Sequence, residues 1–169
     1  MTSTRDSGEK RIERETARTV GKVLFGALAL IFLTYLATLL PGVDRLIPGT
    51  AISFGLVVRA IGTIAVAGVL AYAASGLATL TRTALDARPV AENVASVVYW
   101  LVILASVLVV HWGLAPLAAT LFGSNVWIYD TLFLLAALGP LLVVAVRLYV
   151  TIDPAADLFA ERVSGTGGE

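Results

Sequence analysis

Few side chains in this sequence could do chemistry, and three of them stand where apolar residues dominate. Arg59 and Asp130 are charges inside or beside long apolar stretches, and His111 is the single histidine. A charge near the middle of a membrane helix costs about 2.5 to 3.5 kcal/mol on insertion scales. Such residues therefore read as headgroup-level charges, as an interhelical ion pair, or as parts of a permeation or proton-relay path. Arg59 lies 23 residues before Arg82 and Asp130 lies 17 residues before Arg147, about 34 and 26 Å along a helix. Both would then sit near the far boundary, where they could pair and staple a second helix to a fourth. Asp130, shorter and slightly deeper, would gain more from the pairing. His111, beside Trp112, could titrate near neutral pH, but reads first as an interfacial residue bonded to headgroup or backbone.

The rest of the chemical repertoire is thin. With no cysteine there is no disulfide, thiolate metal site or cysteine nucleophile, and one histidine and one methionine leave little for metal binding. The sequence holds no H-E-x-x-H, no G-x-S-x-G and no paired acid and base within an apolar stretch, so an enzyme is not expected. No cofactor, metal or nucleic-acid partner is expected either. Twelve basic and twelve acidic residues cancel, but they cluster at the ends and in the loops.

The elements that must position these residues follow from composition. The chain has 169 residues, 58% apolar and 14% charged, with mean hydropathy +0.89. A soluble domain carries about 25% charged residues, so this chain has too little polar surface to face water. It reads as an all-α integral membrane protein with four transmembrane helices in an up-down bundle. Crossing about 30 Å of hydrocarbon takes roughly 20 apolar residues, and four stretches qualify. The first, residues 23–40, carries no charge and stops at Pro41-Gly42. The second covers about 52–80, including Arg59 if it begins near Ala51. From Asn93 to Tyr129 there is no Asp, Glu, Lys or Arg, a run too long for one span. Gly113, Pro116 and Gly123-Ser124-Asn125 supply the break, giving spans of about 94–114 and 126–150.

Six basic residues precede the first span: Arg5, Lys10, Arg11, Arg14, Arg18 and Lys22. Arg82, Arg88, Arg147 and Arg162 fall on the same side of the bilayer, against only Arg45 and Arg59 on the other. This excess places both termini in the cytoplasm of a multi-pass cell-membrane protein. Tyr35, Trp112, Trp127 and Tyr129 fall at the predicted outer ends, and Tyr99, Trp100 and Tyr149 toward the inner ends, as interfacial aromatics should. A cleaved leader would carry Asp6, Glu9, Glu13 and Glu15 and has no small-x-small site after Leu40, so the first span is expected to be retained.

Residues 1–22 form a basic and acidic cytoplasmic segment, unstructured over residues 1–8. Its charge spacings, Arg11 with Glu15 and Glu15 with Arg18, then suit a helix that continues into the first span. It reads as a positive-inside anchor, or as a binder of anionic lipid. After the fourth span, Asp153-Pro154 reads as the cap and first position of a short helix through Arg162, with Leu158 and Phe159 on the membrane and a disordered tail behind. Within the spans, Thr63, Ala67, Ala71 and Ser75 recur every four residues as a small-residue packing face, with a pore lining as the functional alternative. Gly139-Pro140 is expected to kink the fourth helix, because proline removes a bond toward Ala136.

Residues Ala91-Glu92-Asn93-Val94-Ala95-Ser96-Val97-Val98-Tyr99-Trp100-Leu101 through His111-Trp112-Gly113-Leu114 resemble the helix pair preceding the pore in small-conductance mechanosensitive channels. Tyr72-Ala73-Ala74-Ser75-Gly76-Leu77 before Thr81-Arg82 resembles the helix before that pair. The likeness covers about residues 60–122. The chain departs from that family in lacking a Gly/Ala-ribbed pore helix and a β-rich cytoplasmic domain, so the resemblance implies a sensor-like or accessory module. Leu36-Ala-Thr-Leu-Leu-Pro-Gly42 and Leu117-Ala-Ala-Thr-Leu-Phe-Gly123 are also alike, as two repeated hairpins would be. The expected protein is a non-enzymatic structural, accessory or tension-responsive membrane module whose partners are the bilayer and a second copy or a larger membrane complex. An oligomeric channel or small transporter subunit is the alternative.

Overall fold

A computed structural model describes the backbone of residues 3–84 and 88–165, and the side chains of residues 15, 18–83 and 91–150. The chain forms α1 (Ser3–Thr38), α2 (Phe54–Ala84), α3 (Arg88–Phe122), a single 3-10 turn (Gly123–Asn125) and α4 (Val126–Gly165). No strand occurs among the described residues. One isolated bridge, Leu46 to Ser53, ties the loop between α1 and α2. Three stretches are long and apolar enough to cross a membrane: Arg18–Thr38, Phe54–Thr83 and Ala91–Val150. The third, 60 residues long, is α3 and α4 folded back on one another.

The boundaries have local causes. Ser53 Oγ accepts from the Leu56 N–H at 3.3 Å, which caps the start of α2 by satisfying one of its unpaired donors. The end of α1 tightens, with Leu39 N–H donating to the Leu36 carbonyl at 3.0 Å just ahead of Pro41. The expected break at Gly113 and Pro116 does not occur: α3 runs through both, two turns further, to Phe122. Proline removes one backbone bond, which a long apolar helix tolerates. The reversal falls at the remaining part of the expected break, Gly123-Ser124-Asn125, where Gly123 has a φ of +54°, a left-handed conformation that glycine adopts without strain. The helix of α4 continues through Gly139-Pro140 and past Asp153-Pro154, so no second helix starts at residue 153. At the other terminus α1 begins at Ser3, inside the stretch expected to be unstructured. The Arg11–Glu15 pair and the membrane contacts of Leu158 and Phe159 lie outside the described side chains.

The four helices do not close into a bundle. Among the described residues no Cα of α1 lies within 8 Å of α3 or α4, and none of α2 within 8 Å of α4, so each helix packs only on its chain neighbours. Val20 against Gly76 and Thr34 against Gly62 join α1 to α2, and Thr63 against Gly113 joins α2 to α3. Tyr129 against His111 and Arg147 against Asn93 join α3 to α4. The residue numbers run in opposite senses in the α1/α2 and α3/α4 pairs, and also in α2/α3, where Arg82 lies beside Ser96, so neighbours are antiparallel and the molecule is a row one helix thick. Both loops, residues 39–53 and 123–125, lie at one end of this row, called here the loop end.

Small residues explain why a row suffices. Where solvent is as apolar as the side chains, nothing drives a large common core, and helices associate where their backbones can approach closely. Among the described residues the buried ones are mostly alanines, including Ala60, Ala67, Ala73, Ala74, Ala78, Ala91, Ala95 and Ala118, and no large side chain is fully buried. Large apolar residues such as Phe25, Leu28, Leu132, Leu135 and Leu142 are exposed.

The packing face expected on α2 is only partly followed. Thr63 meets α3 and Ala67 is buried, but Ala71 is half-buried and Ser75 is exposed, its hydroxyl bonded to its own helix at the Tyr72 carbonyl. A spacing of four drifts about 40° around a helix at each step, whereas a spacing of seven drifts only about 20° the other way. The buried set Ala60, Ala67 and Ala74 follows the second spacing.

Candidate functional site

Polar groups gather on the facing surfaces of α3 and α4. Tyr129 enters from the first turn of α4 and is 8% exposed. Its hydroxyl donates to the His111 carbonyl at 2.5 Å and lies 3.5 Å from that of Val110. The Tyr129 ring stacks on the imidazole, with centroids 5.2 Å apart and planes at 17°. Phe133, one turn further along α4, closes the cluster at 5.3 Å from His111 and 4.7 Å from Tyr129. The spacing of four between Tyr129 and Phe133 puts both on one face of α4.

Beside this stack, His111 Nε2 lies 3.9 Å from Asp130 Oδ1. That is beyond hydrogen-bond length but within the range of a charge contact when the imidazole is protonated. The carboxylate side is 59% exposed and the imidazole 26%. His111 Nδ1 is enclosed and has no hydrogen-bond partner. The two residues form the polar mouth of a groove of about 400 Å³, whose walls are Val107, Leu108, Phe133 and Leu134.

The structure does not bring Arg59 and Asp130 together. Arg59 is exposed on α2, and α3 stands between α2 and α4. Their depths also differ. Thr63 is level with Gly113, which puts Arg59, one turn nearer the loop end, level with about residue 117 of α3. Asp130 is level with His111, some six residues or about 9 Å away along the row. The sequence estimate measured each charge from its own basic anchor, and Arg82 and Arg147 need not be at one level. Continuing α3 to Phe122 also puts His111 eleven residues, about 16 Å, from that helix end rather than at it.

Two further polar features lie elsewhere. Arg147 donates to Asn93 Oδ1 at 3.1 Å, fastening α4 to α3 at the end opposite the loops. Arg82, Ser96 and Tyr99 line a shallow groove of about 330 Å³ between α2 and α3. A larger groove, about 500 Å³, is apolar and lies over Gly62 and Thr63 between α1 and α3.

Chemically, the α3/α4 groove offers one carboxylate, one imidazole and the Thr131 hydroxyl, which already donates to the Trp127 carbonyl at 2.8 Å. That set can hold a cation or a hydrogen-bond donor. It contains no nucleophile with its own base and orienting group. No group of three metal-ligating side chains occurs among the described residues. Comparison with protein-family models, curated proteins and solved structures finds no match.

Sequence reasoning singled out both His111 and Asp130 and missed Tyr129 and Phe133 as their neighbours. The i, i+4 spacing of Tyr129 and Phe133, flanking the only acid between Asn93 and Val146, was the available signal. The partner of Asp130 depended on the register of α3 on α4, which no local pattern states. Asn93, likewise, is one polar residue in an apolar run until α4 brings Arg147 to it.

Proposed function

We propose that this chain is a multi-pass membrane protein whose four helices α1–α4 each cross the bilayer, with both termini cytoplasmic. In this reading it is non-enzymatic and works by lateral assembly, as a structural or accessory subunit or a tension-responsive module. The observation that carries this is the open row of helices. A single chain one helix thick has no interior to line a path or enclose a reactant, and both of its broad faces and both flanks are left to lipid or to other proteins. The exposed apolar residues on α1 and α4 supply those flanks. A channel or transporter built from this chain would need several copies to enclose a lumen. The resemblance to helices that precede mechanosensitive pores supports the tension-responsive variant, because such a row can flatten or bend within the bilayer without breaking a closed core.

The mass of the particle in nanodiscs, measured together with tension-activated current in reconstituted patches, tests this reading. More than one chain per particle without current supports a structural or accessory assembly. Current that depends on tension supports the sensor variant, and current without tension supports the channel. A strictly monomeric, current-free particle that recruits no partner in its native membrane would overturn lateral assembly.

A further inference from the structure

We propose that the α3/α4 groove is a phospholipid site that takes a primary ammonium headgroup at Asp130 and one acyl chain along α3 and α4. The inference rests on the membrane reading above and adds a ligand to it.

Charge is the first observation. From Asn93 to Val146 the sequence contains no Lys or Arg, and Asp130 is its only acid. Arg59 is held away by α3, and among the described residues the nearest group able to carry positive charge is His111 at 3.9 Å. Asp130 is thus a carboxylate without a permanent cation, more than half exposed at the edge of an apolar wall. An ammonium donating to it would form a charge-assisted hydrogen bond, and a primary ammonium has three protons to give.

Shape is the second. The polar groups lie at one end of the groove, at His111, Asp130 and Thr131, and its walls then run past Leu108 and Leu134 to Ala137. From Asp130 to Ala137 is seven residues of α4, about 10 Å. A polar mouth and an apolar furrow running away from it along the helices match an amphiphile lying parallel to them, headgroup toward the loop end. The imidazole adds a third element. Because Nδ1 is enclosed without a partner, a proton on Nε2 puts the ring's donor beside the carboxylate, where a headgroup phosphate could accept it. One side chain then serves the ammonium and its neighbour the phosphate of the same zwitterion. A quaternary ammonium could not donate to Asp130. The Tyr129 ring is buried in the stack and so offers no cage for such a group.

The test uses the full chain in nanodiscs containing equal amounts of phosphatidylethanolamine, phosphatidylcholine and phosphatidylglycerol with identical acyl chains. Co-purifying lipid is counted by native mass spectrometry after transfer to detergent. The expected result is retention of phosphatidylethanolamine over phosphatidylcholine by about fivefold, the scale of one partly exposed charge-assisted bond. Asp130→Asn should abolish the preference, and Asp130→Lys should turn it toward phosphatidylglycerol. Leu108→Trp, which fills the furrow and leaves the carboxylate, should lower retention of all three. Should Asp130→Asn fail to fold, the other two variants carry the test. Equal retention of the ethanolamine and choline lipids by the wild type, or a preference that survives both Asp130 substitutions, would overturn the proposal. Displacement of the lipid by free ethanolamine would overturn it in favour of a soluble amine. A chain that never enters nanodiscs would instead overturn the membrane reading itself.

Discussion

The tightest helix contact in the row gives the sharpest test of how it is held together. A Cβ added at Gly113 would stand 2.7 Å from the Cβ of Thr63, with the Thr63 methyl and hydroxyl closer still. Ordinary contact begins near 3.4 Å. A rotamer change moves the methyl and hydroxyl but not Cβ, so Gly113→Ala must push α3 off α2 by at least about 0.7 Å. Overpacking of this kind costs about 1 to 3 kcal/mol. The matched control is Gly68→Ala on α2, where an added Cβ meets nothing within 4 Å. That substitution receives only the helix-propensity gain of alanine over glycine, about 0.5 to 1 kcal/mol. Both variants share this gain, so their difference isolates the contact. At about 2 to 4 °C per kcal/mol for a chain of this length, Gly113→Ala should melt about 2 to 12 °C below Gly68→Ala. Loss of circular dichroism in one detergent measures both. Exchanging the small and large residues, Gly113→Ala with Thr63→Gly, should recover much of the loss, whereas Thr63→Ala keeps the offending Cβ and should recover less. Equal melting of Gly113→Ala and Gly68→Ala would refute close backbone approach as the basis of the α2/α3 seam.

Single cysteines at Ser124 and Ser164, in this cysteine-free chain, should react oppositely with an impermeant maleimide on intact cells, Ser124 labelled and Ser164 protected. The reverse pattern would overturn the orientation drawn from the basic residues. Arg59→Gln and Asp130→Asn should be additive in thermal stability to within about 0.5 kcal/mol, since α3 separates the two sites. A coupling above about 1 kcal/mol would place them in contact. Tyr129→Phe keeps the ring stack but removes the hydroxyl from the His111 carbonyl, and should cost about 0.6 to 1.5 kcal/mol by the same melts; a larger loss would mean the hydroxyl orders more than this one bond.

What could be read from the sequence and what could not divides along a physical line. Helix type and approximate extent follow from composition and length, because a backbone away from water must satisfy its own polar groups and a helix does so within one segment. Three apolar stretches and the fold-back of the third are therefore visible in the runs around Leu40, Leu80 and Gly123. The up-down bundle expected from the composition needs a common core, which is rewarded in water. Here α1 meets only α2, through glycines at 62 and 76, and nothing draws it round to α4. Proline and glycine misled for a related reason. In water Gly113-x-x-Pro116 would be a plausible stop, but in a packed apolar helix Gly113 is a contact surface and Pro116 a tolerated interruption.

The candidate site shows the same division in finer form. Asp130 and His111 stand out by type alone, since a carboxylate and an imidazole are costly in that company. Their neighbours do not, because pairing across helices depends on register, and register is set by contacts such as Tyr129 on the His111 carbonyl. The paired segments ending at Gly42 and Gly123 illustrate the point from the other side. Both lie at the loop end and both glycines have positive φ, +89° and +54°. Yet Gly42 lies within a fifteen-residue loop anchored by the Leu46–Ser53 bridge, and Gly123 opens a three-residue turn. The short turn and the Tyr129 bond to the His111 carbonyl together keep α4 on α3, and beside that bond a carboxylate is left facing outward along an apolar groove rather than inward to an arginine.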